Sequence, residues 1–415
     1  MSEAQRNATA GSPDKVLFGI VLALVVCGVL LVFDASYPTS SDQARYGNDA
    51  WYFAKRQMAY AAVGVTLMLV VSLAPLEWIR KASIVLLLVS IGLLVHVLRC
   101  GVTINGSKSW EKLGPVLFQP SELAKLAIIV YLARALGRPG IFAKGRERRW
   151  LVPLAWSGLT VLLVVAERDF GTAAVMTAIV FVMFALAGAK KRYLALAVVI
   201  GAAAVLGAMT HLPHCRARVA AYKDPWQHYH HAGYQIVHSL IGFGTGGLTG
   251  VGLGEGRVKS YIPAAYTDYI YATLAEEFGL VGSLALVILF AALAAKTFII
   301  AGKSKSLYGA LLAAGVGSAV STQALINMAV ATNSIPATGL PLPLISYGGS
   351  SLVTTLLALG LVLSVSRNVG VEIDSEKADE NSAYRRRDGR ARISGRSYRG
   401  SSTRNRSERR ITVRR

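Results

Sequence analysis

Charge is scarce in this chain. Only 16% of its 415 residues are Asp, Glu, Lys or Arg, against about a quarter in soluble domains. Acids are scarcer still, 23 against 44 basic residues. With 53% hydrophobic residues and a mean hydropathy of +0.46, an ordinary soluble globule is excluded. Cysteine is nearly absent, and Cys27, Cys100 and Cys215 form no metal-ligand spacing. Cys100 and Cys215 would share a face and so could pair, but all three read better as unpaired small apolar residues. A cleavable leader is not expected either: the first apolar run ends in LLVFDAS, which has no small-residue cleavage site, so the run stays as a helix. The glycine-dense run GFGTGGLTGVGLGEG contains no GxxxxGK[ST], so a nucleotide P-loop is excluded. His211, His214, His228, His230 and His231 cluster without the second half of a ligand set, which argues against a dedicated metal site.

What is present is a succession of apolar runs, each long enough to cross roughly 30 Å of hydrocarbon. They cover 15–35, 56–74, 82–98, 121–136, 151–166, 171–188, 193–210, 269–300 and 307–331, with a tenth ending near 366. The expected fold is therefore an all-α polytopic membrane protein of about ten transmembrane helices. The segments after runs two, four, six, eight and ten carry the basic residues, and the others are far less basic. By the positive-inside rule both termini are cytoplasmic, and the long loop 211–268 between helices seven and eight faces out. The surplus of positive charge is thus a topology signal and not a nucleic-acid surface. Residues 1–14 and 367–415 read as polar, disordered cytoplasmic ends flanking a membrane domain of 15–366. The arginine-rich tail suits anionic lipid, or a docking site for cytoplasmic partners.

Charges at the edges of apolar runs are costly, about 2.5–3.5 kcal/mol each at a helix centre, and so are informative. Glu122 and Lys125, three apart in QPSELAK, share a helix face, either as a structural ion pair or as a site wall that attracts an anionic diphosphate. In ERDFGT, Asp169 is placed to cap the following helix through Thr172. Asp268 stands at the start of the eighth run and faces a loop holding Arg216, Arg218, Lys223, Arg257 and Lys259. It can cap the helix, although Thr267 could do that without a charge. Glu276 and Glu277 lie about 12 Å further along the axis, and at least one must point into the bundle. The stretch ATGLPLPLISYGGSS, with Pro341, Pro343, Ser346 and two adjacent glycines, reads as an irregular re-entrant segment. Such backbone persists at membrane depth only when buried in protein or lining a cavity.

Several of these motifs in order resemble the SEDS family (FtsW, RodA, SpoVE) over about residues 15–366: NGSKSWEKLGPVLFQPSELAKL, ERDFGT, RVAAYKDPW followed by GYQ, GGLTGVGLG, TDYIYATLAEEFGLVG and PATGLPLPLISYGGSS. The resemblance implies a peptidoglycan glycosyltransferase that polymerises lipid II on the outer face of the cytoplasmic membrane. It also implies a class B penicillin-binding protein as partner, among other divisome proteins. The glycine run with Lys259 is more like FtsW, which implies cell division, while TGLPLP leans toward RodA and elongation. The family's essential acid carries over to Asp268 and its QPSE pair to Glu122 and Lys125. The sequence departs from the family at Tyr266, where histidine is usual, at Arg168, where proline is usual, and at Leu117, where a basic residue is common.

On this reading Asp268 is the general base of an inverting transfer, since a double displacement would need a second carboxylate as nucleophile. Asp268 is also the candidate holder of a divalent cation, Mg2+ or Mn2+. Glu122, Lys125, Asp169, Arg216, Lys223, Lys259, Glu276 and Ser346 are the expected substrate contacts. The alternatives are a lipid II flippase or a scaffold for a penicillin-binding protein. The absence of an inverted repeat and the size of the outer loop favour the enzyme.

Overall fold

The computed structural model describes residues 12–41, 47–104, 106–114, 116–138, 140–142, 147–230, 232–263 and 265–368. The expected polar ends at 1–11 and 369–415, and His231, lie outside them.

The apolar runs become helices because nothing within them competes with the backbone ladder and water is excluded from it. In chain order these are α1 (Lys15–Ser41), α2 (Tyr52–Leu73), α3 (Leu76–Cys100), α4 (Pro120–Leu136), α5 (Glu147–Ala166), α6 (Phe170–Leu186) and α7 (Lys191–His211). The long connection holds α8 (Pro213–Lys223), α9 (Tyr234–Gly246) and α10 (Val258–Tyr261), and α11 (Ile270–Lys303), α12 (Leu307–Ala331) and α13 (Gly349–Arg367) follow. Ten of these helices match the ten expected runs in position, and seven are long and apolar enough to cross a membrane. The chain is a multi-pass membrane protein.

Burial sorts the helices. α4 is buried on nearly every side from Pro120 to Ala133, as a helix apolar all round must be. It packs with α12 and α13, each two-thirds buried, at the centre of the bundle. α3, α5 and α7 expose aliphatic side chains such as Val85, Leu162 and Val199, as hydrocarbon-facing helices do. Asp14, the last residue of the expected disordered end, is held at the start of α1. Its Oδ1 accepts from Leu17 N at 2.8 Å, its carboxylate pairs with Lys296 at 2.9 Å, and its N–H donates to Ser366 Oγ at 3.0 Å. The beginning of α1 and the end of α13 thus meet at one end of the bundle. All three cysteines are free.

Two features go beyond the expected all-helical plan. The stretch before α4 folds into a small antiparallel sheet, β1 (Val102–Ile104), β2 (Ser107–Leu113) and β3 (Val116–Phe118), with Thr103 opposite Lys108 and Glu111 opposite Phe118. Gly106 and Gly114 turn the chain in the left-handed region. The second feature is a break in α11 at Gly279 (φ 62°), about 14 Å along the axis from its start. Residues 247–252 fill the gap: Leu280 N donates to Gly247 O at 2.9 Å and Val281 N to Leu248 O at 3.1 Å. In return Val251 N donates to Glu276 O at 3.0 Å and Gly252 N to Glu277 O at 3.1 Å. Part of the long connection therefore runs alongside α11 and not above it. Leu248, Leu253 and Val281 at its tip stay exposed, consistent with contact with lipid.

Candidate functional site

The segment between α12 and α13 is built from residues that cannot form a helix. Pro336, Pro341 and Pro343 lack N–H donors, Gly339 takes φ 80° and Leu344 φ 66°. Its carbonyls have no regular ladder and must find partners elsewhere. Arg218 of α8 donates to Ala337 O at 3.1 Å and Thr338 O at 3.4 Å. Asn327 of α12 donates to Leu340 O at 2.7 Å, and Gln323 one turn earlier donates to Pro341 O at 3.0 Å. Ser346 Oγ donates to Thr267 O at 2.6 Å and accepts from Leu342 N at 2.8 Å, while Tyr347 N donates to Tyr266 O at 2.9 Å. Gln57 of α2 reaches Ser346 O at 3.2 Å. The re-entrant segment expected from sequence is thus a strap laced to α2, α8, α12 and residues 266–268.

Asp268 stands where this strap passes. A Cβ at Gly339 would lie in ordinary contact, 3.7 Å, with Asp268 Oδ2, so the strap runs directly beside the carboxylate. Asp268 does not cap α11; the residue preceding that helix is Tyr269, which makes no side-chain cap. The Asp268 side chain is half-buried, and dense surrounding protein pushes its carboxyl up to about 6. The nearby Arg218 guanidinium opposes that rise and the Asp169 carboxylate adds to it.

Asp169 fulfils its expected capping role: Oδ1 accepts from Thr172 N at 3.0 Å, and Oδ2 accepts from Gln119 Nε2 at 2.9 Å. The sheet delivers Gln119, and it is fixed in turn by Lys108 N and Ser107 Oγ, which both donate to Glu167 O. Arg168 occupies the left-handed region at φ 63°, where proline cannot go. Glu167 is fully buried, with neither carboxylate oxygen hydrogen-bonded among the described residues. Burial, aided by the charge of Asp169, pushes it up to about 8.

Several expected substrate contacts are placed elsewhere. Lys125 is buried and donates to Glu122 Oε1 at 2.9 Å and Gln323 Oε1 at 2.6 Å. The adjoining cavity, lined also by Pro343 and Thr354, measures about 30 Å³, room for a water and not for a diphosphate. Both members of the ion pair are engaged inside the bundle. Lys259 is also internal, bridging Asp34 Oδ1 and Glu277 Oε1 at 2.6 Å each. Glu276 Oε2 accepts from the backbone N–H of Val258 at 2.8 Å, locking α10 against α11. Ser346 is spent on the backbone of the strap. Arg216 and Lys223 are exposed on α8, and Arg218 is the cation that turns toward Asp268. Arg218, Gln323, Asn327 and Asp34 are the residues not singled out from sequence as site or network members. The polar pair at 323 and 327 in an apolar run, and the lone acid in the first run, were the available signals.

Among the described residues, no group of three or more His, Cys, Asp or Glu side chains could hold a metal ion. Both oxygens of Asp169 already accept hydrogen bonds, and Asp268 contributes a single carboxylate beside the strap. That suits a divalent cation only in the mode where one carboxylate and substrate phosphate oxygens share it.

A family model described as "Cell cycle protein" (FtsW, RodA, SpoVE) matches residues 14–370. Stage V sporulation protein E of Bacillus subtilis is 36% identical over 359 residues, spanning 86% of this chain and 97% of that protein. A probable peptidoglycan glycosyltransferase FtsW of Thioalkalivibrio sulfidiphilus is 40% identical over 353 residues, spanning 84% and 88%. The solved structure of the rod shape determining protein RodA of Thermus thermophilus superposes with a TM-score of 0.65 at 29% identity, covering 87% of this chain and 98% of that one. A chain from a structure titled for polymerization and crosslinking by a peptidoglycan synthase complex gives 0.72 at 30%, covering 87% and 99%. Motif order, helical plan and these matches agree: the chain belongs to the FtsW, RodA and SpoVE family.

Proposed function

We propose that this chain is a peptidoglycan glycosyltransferase that polymerises lipid II, with Asp268 as general base. The observation that carries the reading is a desolvated but reachable carboxylate, opposed by Arg218 and held beside a proline-rich strap. A carboxylate of raised pKa takes a proton more readily than an ordinary one. Asp268 removes the proton from the acceptor sugar's 4-hydroxyl as that oxygen attacks the anomeric carbon of the donor. The bond from that carbon to the lipid diphosphate breaks, the diphosphate leaves with the electron pair, and configuration inverts. Arg218 supplies positive charge next to the developing anion. Asp268 is the residue that would hold a divalent cation, Mg2+ or Mn2+, which would supply neutralising charge for the leaving group.

The basic segments between alternate helices support cytoplasmic termini, with the Asp268 end of the bundle outside. The likeness to a chain of a peptidoglycan synthase complex that couples polymerization to crosslinking supports a crosslinking partner, which we take to be a class B penicillin-binding protein; the cell-cycle family description supports a septal role in cell division alongside other divisome proteins. The test is purified full-length protein in liposomes with lipid II, with and without such a partner. Wild type yields glycan polymer and Asp268→Ala yields none; polymer formed by Asp268→Ala at the wild-type rate would end the assignment.

A further inference from the structure

α12 is apolar except for a few small polar residues and two amides one turn apart, Gln323 and Asn327, which are 3% and 1% exposed. At i, i+4 they share one helix face. Burying a primary amide without partners costs roughly 1–3 kcal/mol, so their bonds account for their presence. Asn327 Nδ2 donates to Leu340 O at 2.7 Å and to the backbone carbonyl of Asp268 at 2.9 Å. One amide thus ties the strap to the main chain of Asp268. Gln323 adds a second rung: its Nε2 holds Pro341 O, and its Oε1 receives Lys125 Nζ, itself anchored on Glu122. The carbonyls of Leu340 and Pro341 lie in an irregular stretch with no ladder of its own. Without these donors nothing in α12 would fix the distance between the strap and Asp268.

We infer that Asn327 is a positioning residue for Asp268, with Gln323 as its supporting rung. Asn327 sets where the carboxylate stands relative to Gly339 and the strap without touching substrate. The activity consequence rests on the reading of Asp268 as the base; the geometric consequence does not.

The experiment uses the full-length protein in liposomes. Asn327→Leu keeps the branched shape and removes both donors. Ser239→Ala is the control: it removes a buried 2.6 Å hydrogen bond to Ala331 O, one turn further along the same helix, that involves neither the strap nor Asp268. Polymerisation of lipid II gives kcat and KM. Amide hydrogen exchange over residues 266–268 and 337–347, read by mass spectrometry, gives the fixing of the strap against Asp268 without turnover. Asn327→Leu should lower kcat about 100-fold, the scale of a 1 Å misplacement, with KM within about twofold. Exchange over those two stretches should quicken by about tenfold as the bonds to Leu340 O and Asp268 O are lost. Ser239→Ala should change neither. Should Asn327→Leu fail to assemble, Asn327→Ser, which keeps one donor, should show the same changes at smaller size. Wild-type kcat and exchange in an assembled Asn327 variant would overturn the inference, as would an equal change in Ser239→Ala. If wild type makes no polymer, or Asp268→Ala does, the catalytic reading falls while the exchange still decides the positioning.

Discussion

Replacing Asp268 by Asn should abolish polymer formation and at the same time stabilise the fold. The carboxyl rises from 3.8 to about 6 in the native protein, so the folded state prefers it protonated. That is the reverse of the usual carboxylate, and the sign follows: between pH 3.8 and about 6 the native state binds more protons than the unfolded chain, so stability falls as pH rises. Above about 6 the full penalty applies, roughly two pKa units or about 3 kcal/mol. Asn cannot ionise and avoids the penalty, less whatever Arg218 loses with its counter-charge. At pH 8 thermal unfolding in detergent should therefore move up by on the order of 5 °C, and the gain should shrink on acidification and vanish near pH 3.8. Activity has the opposite dependence, because the base must be ionised: the wild-type rate should climb with pH through about 6. An Asp268→Asn protein no more stable than wild type at pH 8, or a stability gain that persists at pH 3.8, would refute the desolvation argument.

Three further outcomes follow from the same geometry. Arg218→Met removes the cation that holds Asp268 down, so the acid limb of the rate profile should move up by about one pH unit, measured as initial polymerisation rate against pH. Gly339→Ala puts a side chain at φ 80° in ordinary contact with Asp268 Oδ2; backbone strain of about 1–2 kcal/mol should lower thermal stability, and its relief by a shift of the strap should lower kcat. Lys259→Met leaves Asp34 and Glu277 buried without their shared cation and should cost about 3–5 kcal/mol. Adding Glu277→Gln should recover part of that loss in a thermal-unfolding cycle.

How much was legible depended on whether the signal was local. Apolar runs and their punctuation set out ten helix positions, because periodicity and length are read within a single segment. Asp169 as a cap was visible from its spacing to Thr172, and the strap from two prolines and two glycines. Arg218 was passed over for Arg216 because helix α8 was read as loop. Two residues apart on a helix, the two arginines point about 200° apart, and without that phase they look equivalent. Asp34 was visible as an odd acid, but its partner Lys259 lies 225 positions away. Lys125, Lys259 and Glu276 were expected as substrate contacts, with an internal ion pair open for Lys125 and an inward direction open for Glu276, because a charge in a sequence does not announce its partner. Burial and a partner at 2.6–2.9 Å made each one internal. The sheet before α4 was missed because strands of three residues carry too little pattern.

The break at Gly279 bears on how the protein is assembled. The N–H groups of Leu280 and Val281 are satisfied by a loop already synthesised when α11 emerges, some thirty residues upstream. A loop of that length costs little to close, so residues 234–281 can form one hairpin-like unit before α12 exists. α11 is then a helix whose continuity is lent by its neighbour: its first nine residues are moored with the strap and Asp268, and the remainder is an ordinary lipid-facing rod. A mutation that loosens residues 247–252 should uncouple the halves during biogenesis, and would show as exposed backbone and degradation and not as a simple loss of turnover.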